Sequence, residues 1–180
     1  MQLPYDLSVL RDLLNTPDDI GAVLRGHLIL EQCLVHKCKE FFPSLEEVYK
    51  DKLDLALSLK LLRLVSAPDI LVLPCNKINK LRNEFAHGHS SKLTKAHISQ
   101  LKSLWPKKER GYLSDGTVLI TTETGEKKSP DELDVPRFQF AAFVALLQLF
   151  ILSSRGSFSV HFGTGQPPAV SKWEWTQLKN

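Results

Sequence analysis

Cysteine, long apolar runs and net charge are all scarce in this chain, and each scarcity removes a class of protein. Three cysteines, Cys33, Cys38 and Cys75, cannot build a disulfide framework. The opening MQLPYDLSVLRDLL has no basic region followed by an apolar run, so no secretory leader is expected and the thiols read as reduced, in a cytoplasmic protein. Cys33 and Cys38 stand five apart, which on a helix makes neither a redox pair nor a zinc pair. The most apolar stretch, Phe138 to Leu152, is shorter than the ~20 residues that a membrane span needs. It is expected to be a buried helix, and no membrane partner is expected. The net charge of +3 permits a nucleic-acid partner without arguing for one, because such proteins usually concentrate their basic charge. Also missing are a glycine-rich phosphate loop, a Gly-x-Ser-x-Gly elbow, a helix-turn-helix with a basic recognition face, internal repeats and low-complexity tracts. No cofactor and no metal are expected.

What remains is a helical pattern. At 43% hydrophobic and 24% charged, the composition suits a globular core, and 180 residues suit one domain with an appendage. Thr16-Pro17-Asp18-Asp19 starts a helix, with a capping oxygen, a proline for the first position and acids at the positive end. It is expected to stop before Pro43 and to bury Ile20, Leu24, Leu28, Val35 and Cys38. Glu31 projects into that stripe at about 100° per residue, with His27 one turn away. Ser44-Leu45-Glu46-Glu47 is a capping-box pattern, and the leucines from Leu53 to Leu64 read as a central helix. Pro68-Asp69 opens the next helix. Pro74 kinks or restarts it, Cys75, Ile78, Leu81 and Phe85 form its apolar stripe, and Gly88 stops it. Thr94 caps a shorter helix that runs to Trp105.

Residues 107–128 change character. Val118, Leu119 and Ile120 after an Asp115-Gly116 turn predict a small β-hairpin inserted before the last long helix. Ser129-Pro130-Asp131-Glu132 starts another helix, Pro136 resets it, and Phe138 to Ser154 completes the bundle. The expected organisation is an all-α helical bundle over residues 1–155 and a tail over 156–180, in which Trp173 and Trp175 alternate.

One stretch carries chemistry. In LRNEFAHGHS, from Leu81 to Ser90, Asn83 and His87 stand four apart and share a helix face away from the apolar stripe, while Arg82 borders the stripe. Two readings are open. In the first, a histidine in the last turn is favoured by the helix dipole, and Arg82 pairs with a buried acid such as Glu31, since a carboxylate facing a core needs a partner. In the second, the three polar residues form a site. His87-Gly88-His89 with His97 is a weak metal signal, lacking acid or thiol ligands at fixed spacing. Lys107, Lys108 and Arg110, with Lys127 and Lys128, flank the hairpin and are candidate nucleic-acid contacts, although solvated loop charges are the commoner explanation of such residues.

Arg82-Asn83-Glu84-Phe85-Ala86-His87, near the end of a helix, resembles the signature of the HEPN superfamily. The first hundred residues resemble the mannitol-repressor-like (MltR) family within it. The resemblance implies a helical domain that dimerises so that paired motifs line a cleft and cut RNA without metal, as in toxin–antitoxin or defence systems. His87 would then be the acid/base, Arg82 the phosphate-holding group and Asn83 an orienting group, with Glu31 in support. The same group also contains non-enzymatic regulators and protein-interaction modules. The resemblance therefore implies as partners a second copy, RNA, and an antitoxin or regulatory protein.

Overall fold

The structure, a computed structural model, describes residues 18–45, 53–110, 120–121 and 126–153. Helix α1 (Asp19–Phe41) starts where Asp18 accepts a hydrogen bond from Gly21 N and ends just before Pro43. The capping-box segment after Ser44 and the tail with Trp173 and Trp175 lie outside the described residues. Helix α2 (Leu55–Leu64) is capped by Asp54. Helix α3 (Asp69–Ala86) carries the motif. Helix α4 (Lys95–Ser103) begins with a reciprocal capping box between Thr94 and His97. A single turn, α5 (Lys107–Arg110), follows. Two-residue strands β1 (Ile120–Thr121) and β2 (Lys127–Lys128) pair antiparallel, with Ile120 opposite Lys128. The expected Asp115-Gly116 turn lies outside the described residues. A short α6 (Pro130–Leu133) opens on a Ser129–Glu132 capping box and stops at Asp134 in a left-handed conformation. Pro136 then starts α7 (Pro136–Ser153).

The contacts set the helix directions. Asp19 lies near Arg137, and Gly26 near Phe140 and Val144, so α1 and α7 run parallel. His27 meets Asn79 and Asp19 meets Leu93, so α3 runs antiparallel to α1. Phe85 faces His97 and Ile70 faces Trp105, so α4 runs back along α3.

Helix α7 is the centre of the bundle. Every residue from Phe140 to Leu147 is buried, and each large apolar one contributes about 1.5–3 kcal/mol on leaving water. Over that stretch its apolarity is satisfied within a single chain, while Leu149, nearer its end, is 46% exposed. The closest seam lies against α1: a Cβ on Gly26 would stand 2.8 Å from Phe140 Cε1 and 3.2 Å from Val144 Cγ2.

Two expectations of burial are corrected here. On α1, Cys38 is buried but Ile20, Leu24 and Leu28 are 38%, 38% and 50% exposed. The buried face is Ala22, Val23, Gly26, Ile29, Leu30, Cys33 and Leu34. Small residues at the seam give no hydrophobic signal, yet they let α7 approach and so decide which way the helix turns. On α2, only Leu55, Ser58, Leu59 and Leu62 are buried, and Leu64 is 78% exposed, so this helix is a flank rather than the centre.

Pro74 does not restart α3, which runs through it as one helix. Lacking an N–H, it leaves the Ile70 carbonyl one turn back without its helical donor. The Trp105 indole Nε1 donates to that carbonyl at 3.1 Å. The same indole stacks on Phe143, with ring centroids 4.3 Å apart, and meets Phe150 edge-on at 5.3 Å. A tryptophan at the end of α4 therefore completes the hydrogen-bond ladder of α3 and clamps both helices to α7.

Candidate functional site

The motif sits at the C-terminal end of α3. Leu81 and Phe85 anchor the last two turns in the core. His87 is the C-cap residue. Its N–H bonds Asn83 O, Gly88 N–H bonds Phe85 O and His89 N–H bonds Glu84 O at 2.9 Å. This is a Schellman turn, and it requires the left-handed backbone that Gly88 adopts at φ +71°. The turn fixes the backbone of His87 and leaves its ring exposed, 6.2 Å between centroids from the exposed ring of His89. Beyond it, Leu93 N donates to Asp19 Oδ2 at 2.8 Å, which ties the following loop to the start of α1.

Arg82 is half-buried and Asn83 exposed. The guanidinium Nη1 donates to Asn83 Oδ1 at 3.0 Å. Arg82 and Glu31 were expected to pair, and they do not. Glu31 Oε2 instead accepts from Leu55 N at 3.0 Å, supplying a partner for one of the free N–H groups at the start of α2. The physical reason is orientation: with α1 turned so that Val23, Leu30 and Leu34 are buried, Glu31 looks toward α2. Glu31 is thus a capping group for a neighbouring helix, and Arg82 is left at the surface with its neighbour.

A further polar pair lies one turn below the motif. His27 Nε2 is 3.0 Å from Asn79 Oδ1, and both residues are half-buried. An amide oxygen only accepts, so the imidazole donates. Asn79 went unassigned in the sequence. The available signal was its spacing of four from Asn83, which puts both on one side of α3.

Among the basic residues after α4, Lys107 is exposed. The side chain of Lys108 lies outside the described residues. Arg110 is engaged: Nε donates to Trp105 O at 2.7 Å and Nη2 to Ser103 O at 3.4 Å, so it closes the C-terminal end of α4. His97 serves the capping box through Nδ1, which accepts from Thr94 N. All three cysteines are buried and free. Burial pushes Cys33 up to about 12 and Cys38 to about 11, and raises Cys75 further with Cys33 beside it, so none is a poised thiolate.

No protein-family model, curated protein or solved structure matches this chain.

Proposed function

We propose that this chain is an RNA-directed domain of HEPN-like kind, acting as a metal-independent endoribonuclease of toxin–antitoxin or defence type. The observation that carries the reading is that the core does not absorb the motif. Arg82 is bonded to Asn83 rather than to a buried carboxylate, and His87 stands exposed at a helix end closed by the Schellman turn. That removes half of the purely structural explanation for the stretch. In the proposed step the ribose 2′-oxygen attacks the adjacent phosphorus, the bond to the 5′-oxygen breaks, and a 2′,3′-cyclic phosphate and a free 5′-hydroxyl result. One proton leaves the 2′-hydroxyl and one reaches the departing 5′-oxygen. Imidazole can do either near neutral pH, and a guanidinium fork suits the charge that grows on the phosphate.

Two proton transfers call for two acid/base groups, and a homodimer would bring two copies of His87. Helix α7 does not argue for that dimer, because every residue from Phe140 to Leu147 is buried within the chain. The exposed Ile20, Leu24 and Leu28 argue for it instead: they form an uncovered apolar stripe on α1, the helix that bonds the motif helix α3 through His27 and Asn79, and a second copy is the proposed occupant of that stripe. Purified protein should cut single-stranded RNA in excess chelator and run as a dimer in light scattering, and Arg82→Ala and His87→Ala should each abolish cutting. Equal inertness, or equal activity, of the wild type and both variants would refute the assignment.

The same exposed stripe favours a second reading, a non-enzymatic regulator or interaction module that binds another protein there. A stoichiometric partner recovered with a chain that cuts nothing, and lost on Leu24→Asp, would establish that reading in place of the first.

A further inference from the structure

Two asparagines flank Arg82 on the surface of α3, and the oxygens of both are already occupied. Asn83 Oδ1 accepts from Arg82 Nη1 at 3.0 Å. Asn79 Oδ1 accepts from His27 Nε2 at 3.0 Å, across the seam between α1 and α3. Asn79 is three residues before Arg82 and four before Asn83, so the three side chains are neighbours on successive turns. An amide whose oxygen already accepts one hydrogen bond keeps both N–H groups of its NH2 free to donate. The strip Asn79–Arg82–Asn83 is therefore rich in donors: two amide NH2 groups with the remaining guanidinium N–H groups between them. The nearest carboxylate along α1 from His27, that of Glu31, is turned to Leu55 N.

A strip rich in donors suits a ligand rich in acceptors, and the phosphodiester is that ligand in RNA. We infer that Asn79 is a further phosphate-binding residue of the proposed RNA site, and that His27 is its positioning residue, holding the amide so that NH2 rather than oxygen faces the nucleic acid. This rests on the RNA-directed reading above and adds to it a contact one turn from the motif. His27 need not touch the phosphate. Its effect passes through Asn79, so the two should behave as one unit.

The test is binding of a fluorescein-labelled single-stranded 2′-O-methyl RNA, which cannot be cut through its 2′-oxygen, followed by anisotropy with the full chain. Removing a hydrogen bond to a charged group should weaken binding about tenfold in Asn79→Ala. Asn79→Asp, of the same size, should weaken it more, because it points a carboxylate at the phosphate. His27→Ala should match Asn79→Ala, and the double variant should be no worse than either. His27→Gln, whose amide NH2 can stand in for Nε2–H, should recover binding to within about twofold, which a merely structural histidine would not do. A DNA strand of the same sequence should lose affinity by the same factor. A loss confined to RNA carrying free 2′-hydroxyls would move the contact from phosphate to ribose and overturn the assignment. Asn79→Asp that binds like the wild type overturns it too, even if Asn79→Ala does not fold. If Arg82→Ala abolishes binding while both Asn79 variants are unaffected, this inference fails and the RNA-directed reading stands. If the wild type neither binds nor cuts RNA, both fail.

Discussion

Trp105→Phe tests how α3 survives its internal proline. The substitution keeps an aromatic ring against Phe143 and Phe150 but removes the Nε1–H that serves Ile70 O. Leaving a buried carbonyl without its donor costs about 1–3 kcal/mol. The smaller ring adds a packing loss, so the total alone does not isolate the hydrogen bond. Pro74→Ala does. Alanine restores a backbone N–H to the position that should serve Ile70 O, so the indole becomes redundant as a donor. In the Pro74→Ala background, Trp105→Phe should cost only its packing part, and the two changes together should be less harmful than their sum by about 1–2 kcal/mol. The measurement is a double-mutant cycle from urea denaturation followed by far-ultraviolet circular dichroism, which avoids interference from Trp173 and Trp175. Additivity within about 0.5 kcal/mol, the usual limit for uncoupled sites, would show that the indole and the proline do not share the Ile70 carbonyl.

Glu31→Ala should cost about 0.5–2 kcal/mol, the value of a lost helix cap, rather than the ~3–5 kcal/mol of a broken buried ion pair, and Glu31→Gln should retain most of it. Chemical denaturation of both variants checks this, and strong coupling to Arg82→Ala in a double-mutant cycle would contradict it. Gly26→Ala should destabilise by about 1–3 kcal/mol through overpacking, offset by about 1 kcal/mol of helix propensity. A rise in melting temperature would mean that Phe140 can withdraw. The cysteines should be silent to a thiol reagent until the chain unfolds. Because burial raises their folded values above the ordinary 9.0, the neutral-thiol stability is fully present below about pH 9, and denaturation midpoints should fall from there upward, through about 11 for Cys38 and about 12 for Cys33. A flat profile from pH 8 to 11, with that of a triple Cys→Ser control subtracted, would contradict the burial.

Local chemistry was the legible part of the sequence. Thr94, Ser129 with Glu132, Gly88 and Pro136 each start or stop a helix through groups within a few residues, and all act where their spacing puts them; the first helix instead takes Asp18 as its cap, two residues after the expected Thr16. The α3 stripe was legible because Cys75, Ile78, Leu81 and Phe85 contrast with polar neighbours, and all four are buried. The rotation of α1 was not legible, since Gly26 and Ala22 mark the contact face by being small. The partner of Glu31 was hidden because it is a backbone N–H 24 residues on, with no side-chain signature. The His27–Asn79 bond spans 52 positions and becomes visible only once two helices are docked. For the candidate site, spacing put Arg82, Asn83 and His87 on one helix end but said nothing of which contacts they would forgo.

Helix α3 is held very differently at its two ends. Near Ile70 it is gripped by a tryptophan and two phenylalanines in the core. Near His87 it is held by the Schellman turn and by Asp19, whose bond to Leu93 joins residues 74 positions apart. In hydrogen exchange, the amides around Ile78 and Leu81 should therefore report the global free energy, while those of His89 and Leu93 should open by a smaller, sub-global motion. The loop after the motif should thus open before the core does, and a ligand that bridges α1 and α3 there should slow exchange at Leu93 more than anywhere in the core.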